Sequence, residues 1–124
     1  MFKDFNISSF KKMKPPGDNT FDTMQEVKEL ESIPLNKKFV RDNDDIEAAF
    51  KKTAKDNGVE DYDDKTAAKL IKESARVILE LKKHFNRPRP KVMAKKMNIN
   101  MKDIEMKSMK TPSYPSGHSV QGVL

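Results

Sequence analysis

Asp64-Lys65-Thr66-Ala67-Ala68-Lys69-Leu70-Ile71-Lys72-Glu73-Ser74-Ala75-Arg76-Val77-Ile78-Leu79-Glu80-Leu81-Lys82-Lys83-His84-Phe85 is the strongest helical pattern in the 124 residues. Ala67, Leu70, Ile71, Ala75, Ile78, Leu81 and Phe85 recur at three- and four-residue intervals, which gathers them into one apolar stripe. Asp63 or Asp64 can cap the start, because a carboxylate accepts from the unpaired amides of a first turn. The spacing predicts a helix over 64–85. Lys82 follows Ile78 by four residues and so falls on or beside the inward stripe. A lysine there either snorkels to the rim or points at an anion among the helices.

Shorter helices are expected on the N-terminal side. Thr20 or Asp22 can cap one running to about Ile33, with Phe21, Met24, Val27 and Leu30 at intervals of three, before Pro34 breaks it. Asp42 to Asp45 give an acid-rich start to another, which carries Ile46, Ala49, Phe50 and Ala54 and ends at Asn57-Gly58 near Asp56. Residues 1–19 read as an irregular arm, with Pro15-Pro16-Gly17-Asp18 as a turn. With no β-alternating segment, the fold class expected is all-α, one domain over residues 20–124 behind that arm.

Two further stretches carry chemistry. After the long helix comes Asn86-Arg87-Pro88-Arg89-Pro90, where the prolines fix an extended turn and the two arginines alternate to opposite sides. Near the end stands Ser113-Tyr114-Pro115-Ser116-Gly117-His118-Ser119, which holds one of the two histidines. Glycine permits close backbone approach, serine donates from hydroxyl and amide, and Pro115 stiffens the approach. Val120, Val123 and Leu124 can begin a helix near Ser119, whose free N–H groups would face an anion. Ser113 and Tyr114 are expected to support this loop. Between the two stretches Met93 and Met97 read as packing residues of a short helix to about Met97, followed by an irregular connector.

Lys82, six residues, Arg89-Pro90, and later Pro115-Ser116-Gly117-His118 together resemble the first two signature motifs of the type 2 phosphatidic acid phosphatase superfamily. That superfamily also contains the soluble bacterial nonspecific acid phosphatases and the vanadium haloperoxidases. The resemblance implies a helical bundle that hydrolyses phosphate monoesters through a phosphohistidine intermediate, with no metal and no cofactor. It makes Lys82, Arg89, Ser116 and Gly117 the phosphate-binding residues and His118 the general acid for the leaving alkoxide. Arg87 and His84 fall outside the matched positions; Arg87 is read as a surface residue or one behind the phosphate ligands, and His84 as structural or exposed. The third motif, Ser-Arg, five residues, His, three residues, Asp, is absent, and with it the nucleophile. The chain is therefore expected to be a fragment of the bundle, truncated before its last helices and inactive alone.

Composition agrees in part. Residues 1–64 carry 11 basic and 15 acidic side chains, whereas residues 65–124 carry 14 basic and 4 acidic. The surplus lies with both motifs, as an anionic small-molecule substrate would want. No run is long and apolar enough to span a bilayer, and Met1-Phe2-Lys3-Asp4-Phe5 does not begin a secretory signal. The cytoplasm is thus the expected compartment, although the periplasm is usual for the soluble branch. Without cysteine there is no disulfide or thiolate metal site. Two alternatives remain. One is a haloperoxidase holding vanadate in the same residues; the other is a non-catalytic basic module for polyanions, with nucleic acid placed lower for want of a recognisable motif. A bundle short of helices would expose apolar faces, so self-association is expected.

Overall fold

A computed structural model describes residues 4–124, and within them the secondary structure is entirely helical. The elements are α1 (Ile7–Phe10), α2 (Phe21–Ser32), α3 (Lys37–Asn43), α4 (Ile46–Asp56), α5 (Asp64–Phe85), α6 (Pro90–Lys96), a 3-10 turn (Lys107–Lys110) and α7 (Gly117–Gln121). The first three residues of the expected arm lie outside the description.

Helix α5 is the axis. Asp63 caps it, its side chain accepting from Thr66 N, and Asn86 ends it in the left-handed conformation at φ 46°. Ile78 and Leu81 of the expected stripe are buried, and the rest of the stripe is half-buried. Val77 and Ser74 widen the buried face. Helices α1, α4 and α7 pack along α5. Helix α2, capped by Thr20, instead packs on α6. There Val27, Met93 and Ala94 form a closed apolar cluster, with Met97, Ile99 and Met101 against it. The methionines pack, as their spacing predicts.

Two segments differ from expectation, whereas the connector after α6 is irregular as expected. The acidic residues 42–45 do not all open one helix: Asp42 lies in α3, paired with Lys38 one turn earlier, and only Asp45 caps α4. Helix α3 has a cap of its own, Asn36, which accepts from Phe39 N at 3.0 Å. Within residues 1–19, α1 packs on α5, and Lys11 pairs with Glu80 at 3.2 Å. The connector after α6 turns at Asn98 (φ 56°) and buries Ile104, held by the Lys91–Asp103 pair at 2.8 Å. No described helix is long and apolar enough to cross a membrane.

Candidate functional site

The turn 86–90 has little hydrogen bonding of its own, because Pro88 and Pro90 lack an N–H. It is held from outside. Arg89, which precedes α6 with extended backbone, sends Nε to Thr111 O at 2.8 Å and Nη2 to Ser108 O at 3.0 Å and Thr111 Oγ1 at 3.4 Å. Lys82, on the last turn of α5, is only 5% exposed and donates from Nζ to Pro112 O. Both cations thus grip the segment 108–112 by its carbonyls, and this brings Ser116, Gly117 and His118 to the same place.

The result is a cavity of about 240 Å³ lined by Lys82, Arg89, Ser116, Gly117 and His118, with Ser108, Thr111 and Gln121 among its other walls. All five residues singled out from the sequence face it. His84 does not: it is exposed and sits edge-on to Phe85 with ring centroids 4.9 Å apart. Ser108, Thr111 and Gln121 carry no sequence signal that would have found them.

Electrostatics set this cavity apart. Among the described residues neither Lys82 nor Arg89 has a carboxylate partner. Burial lowers the Lys82 ammonium from its usual 10.5 to about 8, and the Arg89 charge adds to that effect. Burial also lowers Arg89. Each cation keeps donors in reserve. An ammonium has three N–H bonds and Lys82 spends one on Pro112; the Nη1 pair of Arg89 has no partner among the described residues.

Ser116 caps α7, its Oγ accepting from Ser119 N at 3.2 Å, which leaves the hydroxyl proton to donate. Helix α7 starts at Gly117, two residues earlier than the apolar pattern suggests, because this cap sits at Ser116. Among the described residues a side chain at Gly117 would touch only Ile78 Cγ2, at 3.9 Å, so none of them demands glycine there. His118 is exposed, and its ring has no hydrogen-bond partner among the described residues.

Arg87 takes the other side of the turn, as alternation predicts, but it is not a surface residue. Its side chain is 12% exposed and donates from Nη2 to Glu26 Oε2 at 2.8 Å and Thr23 Oγ1 at 3.1 Å. It lines a larger, mainly apolar cleft of about 580 Å³ with Val27, Leu30, Met93 and Val120. Ser113 and Tyr114 both tie the loop to other segments. Ser113 N donates to Arg87 O at 2.9 Å, and Tyr114 OH donates to Met13 O at 3.1 Å. No family model, no curated protein and no solved structure matches this chain.

Proposed function

We propose that Lys82, Arg89, Ser116, Gly117 and His118 form a phosphate cradle with its own proton donor, part of a centre that hydrolyses phosphate monoesters of small molecules. One observation carries this reading. Two neighbouring cations, one almost fully buried, share a cavity with no carboxylate among the described residues to neutralise them. Burying charge without a counter-charge is costly, and an anion in the cavity would relieve the cost. Phosphate fits the donors: a planar guanidinium can hold two oxygens, and the ammonium, the Ser116 hydroxyl and the Gly117 backbone can serve the rest.

In turnover the cluster would stabilise the charge on the transferring phosphoryl group. Protonated His118 would give its proton to the leaving alkoxide, and the neutral imidazole would then take one from the attacking water. The attacking histidine of the phosphohistidine route is not among these residues, because of the chain's two histidines only His118 lines the cavity. The expectation for the 124 residues alone is binding without turnover.

Titration calorimetry at neutral pH and low salt, with inorganic phosphate and then vanadate, tests this. The unaltered chain should bind both. Arg89→Ala should weaken binding by roughly ten- to a hundredfold, the loss of a charged hydrogen-bond donor. Equal affinity in parent and variant would remove the cradle.

A further inference from the structure

We infer that Arg87 is a positioning residue for the phosphate cradle, acting through Ser113 from the opposite side of the turn; the inference rests on the cradle reading above.

The loop leading to Ser116 and His118 is fixed where it begins. The loop enters at Ser113. Its amide donates to Arg87 O at 2.9 Å, and its hydroxyl is shared between Arg87 O at 3.2 Å and Pro88 O at 2.9 Å. The entry to the cradle is therefore pinned to two carbonyls of the turn. That turn has prolines at 88 and 90, and its amide at Asn86 is spent on Lys82 O at 2.8 Å. Besides these bonds, residue 87 is tied to the rest of the protein through its own side chain.

Helix α2 provides the anchor. Thr23, fully buried, accepts from Arg87 and donates its own hydroxyl to Gly17 O at 2.6 Å. Glu26, half exposed, supplies the charge. Hydrogen bonds join Gly17 O to Thr23, Thr23 to the Arg87 guanidinium, and the Arg87 carbonyl to Ser113, while covalent chain links the guanidinium to that carbonyl and Ser113 to Ser116. Arg89 grips the far end of the same segment at Ser108 and Thr111. The segment 108–116 is thus stretched between two arginines of one turn. Both bonds leave from one nitrogen, Nη2; a lysine ammonium ends one bond nearer the backbone, so it meets Thr23 and Glu26 together only if the turn shifts toward α2.

The test compares the parent with Arg87→Lys, Glu26→Gln and Thr23→Ser, and with Phe50→Ala, a remote change on α4 that also lowers stability. Phosphate affinity is read by calorimetry, and the amide shifts of Ser113, Ser116 and Gly117 by NMR without phosphate. Arg87→Lys should weaken phosphate binding by about tenfold and move all three amides. Glu26→Gln, at an exposed partner that cannot threaten folding, should move them in the same direction by less. Thr23→Ser keeps the hydroxyl and should behave as the parent, and Phe50→Ala should leave affinity and shifts unchanged. Parent-like shifts and affinity in Arg87→Lys and Glu26→Gln would overturn the inference, as would equal losses in Phe50→Ala. If the parent itself fails to bind phosphate, the cradle falls, and the positioning role with it, whatever the shifts show.

Discussion

Arg87 and Arg89 stand on one turn, two residues apart, and meet opposite surroundings. On the α2 side Arg87 is neutralised by Glu26 at 2.8 Å, beside a cleft whose walls are mainly apolar. On the α7 side Arg89 meets only neutral acceptors among the described residues, next to a second cation, in a smaller cavity rimmed by Ser116 and His118. Residue type, charge and sequence neighbourhood are the same. What differs is whether the protein supplies the counter-charge. Both arginines tie segments together, but only beside Arg87 do the described residues supply a carboxylate.

Stability should separate the two arginines most sharply. Arg87→Ala removes a half-buried ion pair and a hydrogen bond to a buried threonine, and should cost about 2 kcal/mol by urea unfolding. Arg89→Ala loses hydrogen bonds as well, but also removes an uncompensated cation, and should cost less than about 1 kcal/mol in the absence of anion. A larger loss at Arg89 would break the comparison.

The pH dependence should be of middle size. Lys82 holds its proton less tightly folded, at about 8, than at its usual 10.5, so the unfolded chain binds more protons between these values. This group therefore adds stability as pH rises from about 8 to 10.5. Anion binding should run the other way. Sulfate, whose charge is constant in this range, should lose several-fold in affinity as pH rises through 8 and Lys82 becomes neutral. A flat profile would exclude Lys82 from the site.

The smallest expected effect is the most discriminating. A Cβ at position 117 meets no protein atom closer than 3.9 Å, so Gly117→Ala should leave stability within about 1 kcal/mol of the parent or raise it slightly. Its phosphate affinity should fall a few-fold if the backbone is approached by the ligand. Unchanged affinity would confine the cradle to side chains.

Much of the helical framework is legible in the sequence, because its signals are local. Asp63, Thr20 and Asp45 cap where the residue chemistry says, and Gly58 takes the left-handed turn at φ 73° after α4. Helix α3 is not legible: Phe39 and Val40 are adjacent and make no stripe, and only the Asn36 cap and the Lys38–Asp42 pair mark it. The candidate site is half legible. The motif resemblance, rather than periodicity, singles out Lys82, Arg89, Ser116, Gly117 and His118, and the fold puts them on one cavity. The link from Arg87 to Glu26 and Thr23 spans more than sixty positions, and pairing at that distance has no sequence signature.

Lys82 and Arg89 share a charge that no carboxylate among the described residues compensates. NMR titration of the Lys82 ammonium, with and without phosphate, tests it most directly. The midpoint should lie near 8 in the free protein and rise clearly once phosphate is bound. An ordinary lysine midpoint that phosphate does not move would contradict it.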